Sequence, residues 1–126
     1  MINTQGYYMT SKGEKVIIDS QNFIDLSYKN IVELVLPSGI KNVWCANNQL
    51  KELILPSSII EVWCSSNQIT GLILPSGVKN IYCENNNITG LILPSGVEYV
   101  YCDDGAIENP MFYKNWDINL VIYLMK

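Results

Sequence analysis

The tripeptide Leu-Pro-Ser occurs at Leu36, Leu55, Leu74 and Leu93, each 19 residues after the last. A chain with a fixed repeat of this size has little choice of architecture. One copy is too short to bury its own apolar side, so the copies must stack and bury it against one another. Other columns keep the same step. The four cysteines are Cys45, Cys64, Cys83 and Cys102. Asn48, Asn67 and Asn86 hold one place, which Gly105 takes in the last copy. Apolar residues follow in phase at Ile40, Ile59, Val78 and Val97, at Val43, Val62, Ile81 and Val100, and at Leu50, Ile69, Ile88 and Ile107.

Within one copy, Ile40-x-x-Val43-x-Cys45-x-x-Asn48-x-Leu50 has the form L-x-x-L-x-L-x-x-N-x-L. On these residues the chain resembles the leucine-rich-repeat family over residues 21–109. A degenerate first copy places Ile24, Leu26, Ile31, Leu34 and Leu36 in the apolar slots, with Lys29 where Asn is expected. The short copy leaves no room for a full helix between strands. It is similar to the short repeats of bacterial effectors, which also place Leu-Pro before each strand, and to short repeats encoded by large DNA viruses. The Leu-Pro-Ser-Gly form departs from the effectors and argues against a ubiquitin-ligase role. The resemblance implies a mainly β, right-handed solenoid with little or no helix, and a protein-binding function without a cofactor.

Each copy is expected to make one coil. Val43-Trp44-Cys45 and its equivalents should form short parallel strands about 4.8 Å apart. Alternation turns Val43 and Cys45 inward and Trp44 outward. On the opposite wall Leu53, Ile54 and Leu55 alternate again, and Pro56 limits that wall to extended chain or a very short strand. The Asn column should satisfy backbone groups at a tight turn, with amides able to chain from coil to coil. Gly39, Gly77 and Gly96 mark another turn, where Ser58 shows that Gly is not compulsory.

The whole chain, 1–126, reads as a single domain: a cap hairpin in 1–20, repeats in 21–109 and a second cap in 110–126. In front, Tyr7 to Thr10 and Lys15 to Ile18 flank a turn at Ser11-Lys12-Gly13-Glu14. Behind, Pro110 breaks the phase. A short turn of helix is expected near Met111 to Trp116. Ile118, Leu120, Ile122 and Leu124 then alternate with Asn119, Val121, Tyr123 and Met125 as a closing strand. Met1 to Gly6 has neither the basic nor the apolar region of a signal peptide, and Leu120 to Met125 is too short to span a bilayer. These features predict a cytoplasmic protein that does not insert in a membrane, in a host cytosol if the chain is an effector or viral.

The net charge is −4, with eight Lys, no Arg and no His. A nucleic-acid partner is disfavoured, because such proteins usually carry a basic face. Absence of His removes the commonest general base and metal ligand. A column of cysteines cannot converge on one tetrahedral zinc ion, and disulfide geometry is narrow. Buried free thiols, acting as small hydrophobes in a reducing compartment, are the expectation. Cys102-Asp103-Asp104 resembles a Cys-x-Asp catalytic motif of the effector ligases. Cys102 belongs to the core column, however, and has no neighbouring cation to lower its pKa. No catalytic residue, metal or cofactor is therefore assigned.

The outward columns carry the functional expectation. Asp25, Trp44, Trp63, Tyr82 and Tyr101 should form a stripe on the concave side. Asn42, Glu61, Asn80 and Tyr99 flank it on one side, and Ala46, Ser65, Glu84 and Asp103 on the other. Trp44, Trp63, Tyr82 and Tyr101, with Glu61, Glu84, Tyr99 and Asp103, are the candidate partner-binding residues. They suit a protein that offers apolar or aromatic groups with Lys or Arg around them. Stacking for stability alone is the competing explanation. A second stripe, Val35, Ile54, Ile73 and Ile92, should point out from the opposite wall. It supports an alternative role as an assembly unit that forms homo-oligomers.

Overall fold

A computed structural model describes residues 5–117 and 119–126. The chain is mainly β and winds into a parallel solenoid of about five turns, with a small antiparallel sheet at its front. That front sheet begins with β1 (Gly6–Thr10) and β2 (Lys15–Ile18), paired with Tyr7 opposite Ile17. Gly13, at φ +85°, makes the connection by donating its N–H to the Thr10 carbonyl. The hairpin lies where the sequence places it. Met1 to Thr4 and Ile118, included in the sequence-based expectations, fall outside the described residues.

The long sheet is built one strand per coil. β3 (Phe23–Asp25) precedes β4 (Ile31–Val35), which joins the front sheet; then come β5 (Asn42–Trp44), β6 (Glu61–Trp63), β7 (Asn80–Tyr82) and β8 (Tyr99–Asp103). After α1 (Pro110–Trp116), β9 (Val121–Met125) completes a six-stranded parallel sheet in the order β3-β5-β6-β7-β8-β9. Register follows the repeat: Val43 lies opposite Val62, Val62 opposite Ile81, and Ile81 opposite Val100. Equivalent residues therefore stack, and the core is a set of columns. Ile40, Val43, Cys45 and Leu50 are fully buried in one coil, as are Ile59, Val62, Cys64 and Ile69 in the next.

Each conserved-in-register asparagine seals two coils. The Asn67 amide donates to the carbonyls of Cys64 in its own coil and Cys45 in the coil before, at 3.1 and 3.0 Å. Its oxygen accepts from Leu50 N–H at 2.9 Å. Asn48 and Asn86 repeat this arrangement. The expected amide-to-amide chain does not form. The amides reach backbone instead, because the tight turn leaves its peptide groups unpaired and nearer.

The residue before each asparagine is left-handed: Asn47, Ser66 and Asn85 have φ between 55° and 58°, and Tyr28, before Lys29 in the same slot, has φ 59°. At the Pro turn, by contrast, Gly39 alone of the repeat glycines has a positive φ. Ser58 fits the equivalent place, and its hydroxyl donates to the Ile40 carbonyl at 2.6 Å.

The wall opposite the long sheet is extended chain. It becomes a strand only at β4, because β1 lies alongside and supplies hydrogen-bond partners, with Tyr7 opposite Val35. Gly6 makes this docking possible: a Cβ there would stand 2.5 Å from Pro37 Cδ. At the rear, Pro110 opens α1 and the Asn109 side chain accepts the Phe112 N–H at 3.3 Å, as an N-cap does. Of the expected closing strand, Leu120 is buried and Ile122 packs on the core, but Leu124 is exposed. β9 is the edge strand, so it has no further coil to cover it. No helix among the described residues is long and apolar enough to cross a membrane.

Candidate functional site

The outer face of the long sheet carries an aromatic ladder. Parallel register puts Trp44 opposite Trp63, Trp63 opposite Tyr82, and Tyr82 opposite Tyr101. The two indoles stack with centroids 4.3 Å apart and planes 12° from parallel. Trp63 and Tyr82 follow at 4.7 Å, and Tyr82 and Tyr101 at 6.4 Å. The rings point outward as the alternation requires. They are not open to solvent, as the sequence suggested, but half-buried, because each ring covers the next. Strand spacing of about 4.8 Å is close to the thickness two stacked rings need.

The ladder is longer than the four residues assigned to it from sequence. Phe23 stands edge-on to Trp44 at 4.9 Å, and Tyr123 approaches Tyr99 and Tyr101 at 5.6 and 5.9 Å. The signal for Tyr123 was present, since it alternates within the closing strand. Its register against Tyr101 was hidden, because the step from β8 to β9 breaks the 19-residue rule. Tyr99 belongs to a neighbouring column yet leans into the ladder, 5.2 Å from Tyr82.

Polar neighbours of the ladder divide into satisfied and unsatisfied groups. Trp44 Nε1 donates to Glu61 Oε1 at 3.3 Å. One coil on, Trp63 Nε1 is buried and has no acceptor. The residue equivalent to Glu61 there is Asn80. Asp103 is already engaged: its two carboxylate oxygens accept the N–H groups of Asn85 and Asn86 at 2.8 and 3.0 Å. In earlier coils a backbone carbonyl does this, as Ser65 does for Asn47. Asp103 is thus a structural substitute as well as a surface acid. Burial pushes the Glu84 carboxyl up, with the nearby Asp103 adding to it and a hydrogen bond from Ser65 opposing it. A shallow basin of about 440 Å³ lies among Ser65, Tyr82, Glu84, Asn85, Tyr99 and Tyr101.

The cysteine column lies on the other side of the same strands. All four thiols are free and buried. Burial pushes Cys45 up to about 12 and Cys102 to about 11, and raises Cys64 and Cys83 further from their ordinary range. These sulfurs are neutral at physiological pH and are held away from solvent. Among the described residues, no group of three or more His, Cys, Asp or Glu side chains could hold a metal ion.

The opposite wall behaves differently. Ile54, Ile73 and Ile92 are 72%, 89% and 73% exposed. Their neighbours Leu53, Leu72, Leu74, Leu91 and Leu93 are buried, which is the alternation expected of Leu-Ile-Leu. Val35, placed in this stripe from sequence, is only half-exposed, because the hairpin strand β1 runs beside it. An open groove of about 660 Å³ lies between Ile54 and Ile73.

The fold and these two faces define a repeat solenoid of the parallel β class. No family model, no curated protein and no solved structure matches the chain.

Proposed function

We propose that the chain is a non-catalytic protein-interaction module of leucine-rich-repeat type, which holds its partner on the face of the long sheet. The L-x-x-L-x-L-x-x-N-x-L columns support the repeat class. One observation carries the functional reading: the ladder is pre-stacked, so its rings are ordered before any partner arrives. Binding usually costs about 0.5–1.5 kcal/mol for each rotamer-rich side chain immobilised. Rings locked from Trp44 to Tyr123 avoid most of that cost. Rigid aromatic centres with polar flanks are a common form of recognition surface.

The flanking columns say what fits. Glu61 and Glu84 face outward beside the rings, and Tyr99 fills the rear of the row. A protein surface with Lys or Arg around an apolar centre is the expected partner. The buried thiols support a non-enzymatic role and suit a reducing compartment.

Affinity capture with three baits tests this. The bait Glu84→Lys with Tyr99→Ala alters the face but leaves the Trp44–Trp63–Tyr82 stack in place. Partners held by the wild type should drop at least tenfold on this bait. They should persist on Ile73→Asp, which alters the opposite wall. Equal capture by the wild type and the face variant, or loss on the wall variant alone, overturns the assignment.

A further inference from the structure

The isoleucine wall presents a separate surface that the sheet-face reading does not use. Large apolar side chains exposed by more than seven-tenths, on adjacent coils, mark a contact site on a folded protein. Ile73 is the centre of the row, with Ile54 and Ile92 one coil away on either side. The row spans three successive coils of the wall opposite the long sheet. A standard interface takes about one tenth of a small protein's surface from each partner, and the accessible surface here is 7476 Å². A second copy therefore has to cover about 750 Å² around the row.

We propose that this wall is the interface of a homodimer, with a second copy seated on it antiparallel about a two-fold axis beside Ile73. The first argument is shape. The isoleucines project from extended chain, and the 660 Å³ groove between Ile54 and Ile73 is the recess between two of them. A second copy carries knobs and recesses at the same coil spacing by construction. A two-fold axis a quarter-step from Ile73 seats each Ile73 in the partner copy's Ile54–Ile73 groove, both ways at once. That self-complementarity is what an isologous contact needs.

The second argument is charge. The rim beside the row is uneven. Its front half holds Glu33, Lys51 and Glu52, all exposed. Its rear half is Thr70, Gly71, Thr89 and Gly90, small and uncharged, followed by Glu108 at the rear end beside Ile92. Antiparallel seating lays Glu52 of each copy over Gly71 and Gly90 of the other. A Cβ at either glycine would meet nothing within 4 Å, so the longer side chain has space. Glu52 does not face Glu52. Parallel seating would set the charged halves against each other. The same rim explains why a second copy fits better than an anionic lipid surface: three glutamates, Glu33, Glu52 and Glu108, flank the row, and Lys51 offsets one of them.

The test is mass in solution followed by position-specific cross-linking. By sedimentation, the wild-type chain should be a dimer of the 14.3 kDa unit at micromolar concentration. Ile73→Asp should be monomeric, with an unchanged circular dichroism spectrum, since the side chain it replaces is exposed. Ile73→Cys should form a disulfide-linked dimer under mild oxidation. Ile92→Cys alone should not, but a mixture of Ile54→Cys and Ile92→Cys chains should cross-link to each other. A monomeric wild type overturns the proposal. So does an Ile73→Asp protein that remains dimeric, or a cross-linking pattern in which Ile92→Cys pairs with itself and Ile73→Cys does not.

Discussion

The two walls of the solenoid solve the same problem in opposite ways. Each carries one outward column of large apolar side chains, one residue per coil. On the sheet wall the backbones are hydrogen-bonded in register, and the outward residues are flat rings. Flat rings at strand spacing stack, so Trp44, Trp63 and Tyr82 hide most of their own surface. On the other wall the chain is extended and Pro-terminated, and the outward residues are isoleucines. Branched side chains cannot stack flat, and each remains largely in water. Apolar composition alone therefore does not expose a surface. The shape of the side chain decides whether a repeated column shields itself or stays in water.

The sharpest break of this comparison lies within a single wall. Leu72→Ala should cost about 2–5 kcal/mol, as removal of a buried leucine does. Its neighbour Ile73→Ala should cost under about 0.5 kcal/mol in the monomer, as exposed sites usually do. Denaturant unfolding at low protein concentration measures both. Similar losses would mean that the Leu-Ile-Leu alternation is not the one described.

Trp63→Ala comes next. A freely exposed ring would contribute little, which is the expectation from outward position alone. Trp63 instead has a ring on either side, and aromatic pairs contribute about 0.5–1.5 kcal/mol each beyond their burial. A loss of about 2–3 kcal/mol should appear in the same unfolding measurement. An effect as small as that of Ile73→Ala would remove the distinction between the walls.

The smallest effect is a gain. Asn80→Glu would give Trp63 Nε1 the acceptor that Glu61 gives Trp44. A satisfied hydrogen bond contributes about 0.5–1.5 kcal/mol, and thermal unfolding should shift upward accordingly. A lower midpoint would show that the indole N–H is not reached from that column. Combining it with Trp63→Ala should abolish the gain.

Much of this was legible in the sequence because the repeat supplies its own alignment. The inward cysteines, the outward isoleucines and the Tyr7–Ile18 hairpin all follow from period and alternation. The ladder's self-shielding was not legible, because alternation gives direction but not what neighbours cover. Tyr123 was missed as a rung because α1 interrupts the period between β8 and β9. Val35 was misjudged for a related reason: its exposure depends on β1, which is distant in sequence and belongs to no copy. Asp103 looked like free surface charge, and its bonds to Asn85 and Asn86 come from a coil-to-coil register that only the fold supplies.

The asparagine seal has a consequence for how such a chain can change over generations. Every amide bonds within its own coil and to the coil immediately before it, never further. The unit that must be inherited intact is thus one 19-residue copy and its junction. Misaligned recombination between two copies in the gene would add or delete a whole coil, and each surviving asparagine would still find both sets of backbone partners. Gly105 stands where the next amide would be, so the last coil has no such seal. Length could drift in whole coils between lineages while the chemistry of each joint stayed the same.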